Sequence, residues 1–467
     1  MFIKRGRQRL IAGAVLIHLG LALAVFLIGR YAVLAALFDP HGTGLRFASD
    51  GIAYMSEVRA LVDILTREGP SAWLAANYPF HVKIYSLSFA VLSPVFGFTT
   101  LSAEPLNLFY YVAVVWLVFR LGEETFGERA GVVAAWIVAL WPSFLLHTTQ
   151  LLKDPLYIAA MLALLLVNLR WLTKDLPARA ALLSGLAGGA LCTLLWLVRA
   201  ENGLLTLAVA LIGTALILVR LFRQGRAARW NLAGAALMLL LGVSAPRVIY
   251  AGRGVRAQPA PAAAAAPVSS VAAAAPASIA AASPVAAPAP SVNGAKAQTG
   301  SPADRVGHLR AVFARTYPDA GSNVDADVSF GDAAALVRYL PRALVVGLLS
   351  PLPDMWLTAG AYTGRAGRML SGAETLLMYV LQLFTLYGLW SQRRSLSVWL
   401  LLIVALVGAT ALGLVVVNVG ALYRLRYSFW MPLIVLGAGG AVRLYHALAE
   451  RRREQSGGDL LPTTQGA

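Results

Sequence analysis

Ser49-Asp50-Gly51 stands near the start of a polar segment, 38–83, that follows the first long apolar run of a mostly apolar chain. The segment carries His41, Asp50, Glu57, Asp63, His81 and Lys83. Ionisable groups are costly to hold beside a bilayer, so such a segment is expected to have a task. A carboxylate there can take the proton of a hydroxyl that attacks an electrophile, and Asp50 is the candidate. The local alternative is that Ser49-Asp50 caps a helix starting near Gly51, since both residue types accept bonds from exposed helix N–H groups.

Other ionisable residues recur at the ends of apolar runs. Lys153 and Asp154, in Gln150-Leu151-Leu152-Lys153-Asp154-Pro155, sit where one run gives way to the next. Asp154 followed by Pro155 also reads as a helix start, and a helix N-terminus at a cavity can bind phosphate as well. Tyr78-Pro79-Phe80-His81-Val82-Lys83 closes the first loop. His81 and Lys83 suit an anionic group or simple interfacial anchoring, and His81 with Asp50 and Asp154 could surround a metal, although the spacing matches no dedicated ligand pattern. Arg199 precedes Glu201, a ready local ion-pair partner. Late in the chain, Arg424 and Arg426 flank Leu425 between Tyr423 and Tyr427. Paired arginines there suit a phosphate at the membrane surface, with interface anchoring as the alternative. Glu374, just before the apolar run at 376–390, is a further candidate.

The elements that must position these residues are apolar helices. Of 467 residues, 58% are hydrophobic and only 13% charged, and the mean hydropathy is +0.69. The apolar residues fall in long runs, which makes this an all-α polytopic membrane protein of about 10–12 transmembrane or re-entrant helices. The runs lie near 10–37, 84–98, 106–120, 130–150, 155–170, 181–198, 203–219, 231–249, 336–350, 376–390, 396–417 and 428–445. The net charge of +17 resides mainly in short connections between them, where membrane orientation accounts for it. No motif for nucleic acid accompanies it. Cys192, the only cysteine, lies in an apolar run, so no internal disulfide can form and a packing role is expected.

The runs 84–98 and 336–350 are short for a span. If neither crosses, the clusters Arg170/Lys174/Arg179, Arg220/Arg223/Arg226/Arg229, Arg393/Arg394 and Arg451/Arg452/Arg453 all share the side of the basic N-terminus. That satisfies the positive-inside rule. The expectation is therefore about ten full spans and two partial ones, both termini cytoplasmic, with the first run retained as a span. Asp50, Asp154, Arg199, Arg424 and Arg426 then face one extracytoplasmic cavity. The organisation expected is an N-terminal transmembrane module (1–250) containing the polar outer loop, an Ala/Pro-rich insertion (251–305), an outer loop (306–335), a C-terminal module (336–446) and a cytoplasmic tail (447–467). The stretch 257–295 has too few core-forming residues to fold by itself and is expected to be disordered.

The sequence contains no GxSxG, HExxH or Walker-type loop, so protease and nucleotidase readings lack residues. Instead it resembles the GT-C superfamily of polyprenyl-phosphate-sugar glycosyltransferases, which includes protein O-mannosyltransferases and the aminoarabinose transferase of lipid A. The resemblance rests on SDGIAY in the first loop, FHVKIYSL where the family has EKPPLYYWL, FRLGEETFGERAG, WPSFLLHTTQLLKDP and NVGALYRLRYSFWMPL. It covers about the first 200 residues and the last 50. Asp50-Gly51 replaces the family's frequent Asp-Glu or Asp-Asp, and His81-Val82-Lys83-Ile84 departs from its Lys-Pro-Pro element. These departures leave metal dependence and donor identity open.

The resemblance implies an integral membrane enzyme of the bacterial cell envelope, in the inner membrane, serving polysaccharide biosynthesis. It implies a lipid-linked sugar donor on polyprenyl phosphate, a glycan, lipid or protein acceptor, and Asp50 as general base. Arg424 and Arg426, then Lys83 and Arg199, would bind the donor phosphate. Asp154 would orient the acceptor, hold Lys153 or ligate a divalent metal ion, with His81, Lys153, Glu201 and Glu374 in support. The alternatives are an O-antigen or exopolysaccharide polymerase or ligase, or a non-catalytic transporter or scaffold. A transporter would be expected to show inverted repeats and ionisable residues at mid-membrane, and none is evident.

Overall fold

The computed structural model describes residues 2–34, 37–38, 44–224, 229–251, 301–316, 321–360 and 363–458. The Ala/Pro-rich stretch, His41 and the chain beyond 458 lie outside the described residues. The rest is helical, as lipid demands, because a helix satisfies its backbone polar groups within one segment. In order, the helices are α1 (Phe2–Arg30), α2 (Ser49–Arg67), α3 (Pro70–Ala75), α4 (Phe80–Phe96), α5 (Thr100–Phe126) and α6 (Glu128–Ala139). Next come α7 (Pro142–Thr148), α8 (Asp154–Thr173), α9 (Ala178–Val198), α10 (Gly203–Gln224) and α11 (Arg229–Ala251). The second half comprises α12 (Pro302–Thr316), α13 (Ala333–Leu349), α14 (Gly364–Ser391), α15 (Leu396–Val415), α16 (Val419–Leu425) and α17 (Tyr427–Gly458).

Among the described residues, eight helices are long and apolar enough to cross a membrane, and the pair α6 and α7, bent by 66°, makes a ninth. The ten full spans expected from the runs correspond to these nine and α11, whose apolar stretch Arg229–Ser244 is shorter than a span. Trp141-Pro142 explains the bend: Pro142 opens α7 and cannot donate to the turn before it. Helices from both halves share one core, from Leu10 on α1 to Ala438 on α17. Its centre is α8, 72% of whose most apolar stretch is buried.

The two ends of the bundle differ in polarity. At one end, Arg7 pairs with Glu123 at 2.6 Å and with Glu128 at 3.0 Å, Lys174 with Glu124 at 2.6 Å, and Arg220 with Asp175 at 2.6 Å. The other end, here the proximal end, carries α2, α3, α16 and the start of α8. The short runs both belong to it. α4 begins with His81 against Tyr54 of α2, and just past its end Phe98 stacks on Phe89 while Arg59 of α2 lies over it at 4.7 Å. α13 descends beside α15 and stops where Leu349 accepts a hydrogen bond from Tyr379 at 2.5 Å and Ser350 accepts one from Arg426. From there the chain returns to the proximal end to begin α14.

The α13–α15 contact depends on glycine. A Cβ on Gly413 would overlap the Ala343 carbonyl oxygen, and one on Gly347 would overlap that of Ala409. Small residues permit this backbone approach where lipid provides no hydrophobic drive between helices. Gly413→Val is therefore expected to cost about 1–3 kcal/mol through overpacking, read as a lower unfolding midpoint in detergent. Gly20→Ala, with nothing within 4 Å of the added methyl, should leave the midpoint unchanged.

Candidate active site

Asp50 lies in the first turn of α2 and Asp154 in the first turn of α8, each near the positive end of its helix. Neither helix has a side-chain cap hydrogen bond, so the capping readings do not describe these carboxylates. Gly51 has a specific use here: a side chain would press on the Leu151 carbonyl oxygen at 3.0 Å. The bare backbone lets α2 lie against the segment that leads into Asp154. Arg199 closes α9. Arg424 occupies the last turn of α16, a seven-residue helix capped by Asn418, whose side chain accepts from Ala421 N–H at 2.9 Å. The segment before α13 steadies this helix, with Val324 N–H donating to Val417 O and Val419 N–H to Ser322 O, both at 3.1 Å.

These four segments meet in one ionic chain. Arg424 Nη2 donates to Asp50 Oδ2 at 2.5 Å, and its Nε lies 3.0 Å from Asp154 Oδ2. The other oxygen of Asp154 accepts from Arg199 Nη2. Arg199 Nη1 lies 3.6 Å from Glu201 Oε1, which Lys153 Nζ approaches at 3.4 Å. Three carboxylates and three cations alternate, so the chain is balanced in charge. Its floor is the Asp154–Arg199 pair, both side chains 6% exposed, and its open edge is Asp50–Arg424 at 21% and 16%. Burial opposes the charge on both arginines. Asp154 outweighs it, with Asp50 acting on Arg424 and Glu201 on Arg199, and both guanidinium groups are more basic than usual. At Lys153, burial and then Arg199 pull the ammonium below its ordinary range.

No family model and no curated protein sequence matches this chain. A solved structure does. The archaeal oligosaccharyltransferase AglB from Archaeoglobus fulgidus, in complex with an inhibitory peptide and a dolichol-phosphate, is similar at a TM-score of 0.45 and 16% identity. The match covers 96% of this chain and 52% of that one, so the chain spans about half the length of the structure it matches.

Several residues singled out by sequence lie apart from the ionic chain. Lys83 donates to Leu74 O at 2.9 Å and sits over the Trp73 ring at 5.7 Å, bracing α3 against α4. It stands two positions from His81, and side chains at that spacing leave a helix in different directions. The same rule separates Arg426 from Arg424. Arg426 is wholly buried, 3.4 Å above the Trp430 ring and 4.7 Å from that of Tyr423, and donates to Ser350 O. Burial pulls it down to about 9. Glu374 accepts from Ser143 N–H at 2.7 Å, from its hydroxyl at 2.5 Å and from Tyr423 O–H. It thus anchors the residue beside Arg424 without meeting the ionic chain. Asp63 is exposed on α2, and Cys192 is a buried free thiol.

Tyr54, Ser143, His147 and Tyr423 belong to this end of the molecule without having stood out individually. Tyr54 is four residues beyond Asp50, a helical spacing that places both on one face of α2. His147 bridges the two walls: its ring meets Phe47 at 4.9 Å and Tyr427 at 6.0 Å. Among the described residues, no three His, Cys, Asp or Glu side chains converge as a metal-ligand set. Asp50 and Asp154 are joined by a guanidinium, and that arrangement does not fit a divalent ion bound between them.

Proposed function

We propose that this chain is a membrane glycosyltransferase that moves a sugar from a polyprenyl-phosphate donor to a hydroxyl acceptor at the proximal end. The observation that carries the proposal is the Asp50–Arg424–Asp154–Arg199 chain, built from four distant segments at the mouth of an apolar bundle. A lipid-linked phosphate needs both parts: apolar flanks for the tail and fixed cations for the head group. The basic clusters gather at the opposite end, which supports an extracytoplasmic site under the positive-inside rule.

In the proposed reaction the acceptor oxygen attacks the anomeric carbon and its proton passes to Asp50. The bond from that carbon to the phosphate oxygen breaks, and its electron pair leaves with the lipid phosphate. Arg424, at the open edge, meets the developing charge, and Arg199 supports it from the floor. Asp154 holds both guanidinium groups in place before substrate arrives, so their orientation costs little at the moment of reaction. Glu374, through Tyr423, and Arg426, through Ser350, fix the short helix that aims Arg424.

The test is donor binding and transfer in Arg424→Gln. Loss of a charge-assisted contact worth about 1.5–3 kcal/mol should weaken polyprenyl-phosphate binding by about 10–150-fold and slow transfer. Unchanged donor affinity and rate would remove the phosphate-binding role.

A further inference from the structure

Beside the ionic chain, a corner between α2 and the start of α4 holds polar groups that protein contacts leave unsatisfied. His81 is 3% exposed, yet among the described residues neither ring nitrogen has a hydrogen-bond partner. Its ring stands edge-on to Tyr54, with centroids 4.5 Å apart. Glu57, one turn beyond Tyr54, has a buried Oε2 that is likewise unpartnered. Among the described residues, Lys153 reaches only the long contact to Glu201, and Glu201, at 40% side-chain exposure, marks the rim. His81 is thus the buried member of this group, and Tyr54, Glu57 and Lys153 are half-buried.

Buried polar groups without partners are destabilising, so a native fold that keeps several together needs a reason. Burial, reinforced by Lys153 and Arg199, holds the His81 imidazole down to about 3, leaving it neutral. A neutral imidazole offers one donor and one acceptor. Glu57 adds an acceptor, Tyr54 a hydroxyl, and Lys153 a donor. A hydroxyl both donates and accepts, so adjacent hydroxyls on a ring satisfy this mixture in a way that a phosphate, which mainly accepts, does not. Tyr54 is also one turn from Asp50 on the same helix face.

We infer that Tyr54, Glu57, His81 and Lys153 form the acceptor subsite and that the acceptor is a carbohydrate, which presents one of its hydroxyls to Asp50. This deepens the glycosyltransferase reading and rests on it for the identity of the acceptor.

The experiment measures binding of methyl α-D-mannopyranoside and methyl β-D-glucopyranoside to the purified chain by saturation-transfer NMR, in a detergent without a sugar head group. Polyprenyl-phosphate binding is measured separately. Binding of at least one glycoside is expected, with its affinity lowered at least about fivefold by His81→Phe. His81→Gln, which keeps a donor and an acceptor, should recover part of it, and Asp63→Asn, exposed on α2, should retain it. Glycoside affinity unchanged in His81→Phe, or no glycoside binding by the wild type while polyprenyl phosphate binds, overturns the subsite. Glycoside binding that depends on His81 without polyprenyl-phosphate binding upholds the subsite and overturns the lipid-donor reading.

Discussion

Asp50→Asn is expected to lower the turnover of sugar transfer by about 10²–10⁴-fold, the range associated with loss of a positioned proton acceptor. The substitution keeps the shape of the side chain, and its amide can still meet Arg424. Arg424 also retains Asp154 at 3.0 Å, so no buried cation is abandoned. Asp50 lies at the open edge, 21% exposed, where the structural consequence of losing one charge is small. The expected signature is therefore a folded protein with a near-normal unfolding midpoint, near-normal donor affinity and a much reduced rate. Turnover close to that of the wild type, in a correctly inserted variant, would remove Asp50 from the proton-transfer role.

Asp154→Asn should behave differently, because Asp154 is a support before it is anything else. Its carboxylate is buried and engages two arginines at once. Without the charge, Arg199, itself 5% exposed, keeps the 3.6 Å approach of Glu201 at the rim and the Tyr157 ring at 5.7 Å. Breaking a buried pair from one side costs about 3–5 kcal/mol, since the remaining charge stays out of water without a partner. The unfolding midpoint in detergent should fall well below that of Asp50→Asn, and transfer should be lost with it. Adding Arg199→Gln to Asp154→Asn should restore part of the stability, because the orphaned cation is gone, and a positive coupling of about 0.5–3 kcal/mol is the expected scale. A midpoint for Asp154→Asn indistinguishable from the wild type would show that the pair does not anchor the site.

Much of the fold was legible in residue order. The apolar runs located the main helices, and the short runs 84–98 and 336–350 became α4 and α13; α13 stops beside α15 and the chain after it returns to the proximal end. Those readings rest on hydropathy and charge, properties each residue contributes to its own segment. The positions of Asp50, Asp154, Arg199 and Arg424 at one end followed from the same count of runs and basic clusters. Tyr54 was within reach of the same reasoning, four residues from Asp50 on a helix. Arg426 faces away from Arg424, since residues two apart along a helix diverge, and Lys83 braces α3 against α4.

Sequence alone thus determined that the chain is a bundle of membrane helices, where its polar loops fall, and which ionisable groups share an end. Tertiary structure decided who meets whom. Arg424 could have faced lipid, solvent or any nearby acid, and the position of α16 gave it Asp50 and Asp154. Glu374 was a lone acid before the apolar run at 376–390 until Ser143 and Tyr423, from two other elements, closed around it. Helix directions and depths arise from contacts between segments far apart in the chain, such as the glycine-mediated approach of α13 to α15, and no local property of a residue encodes them.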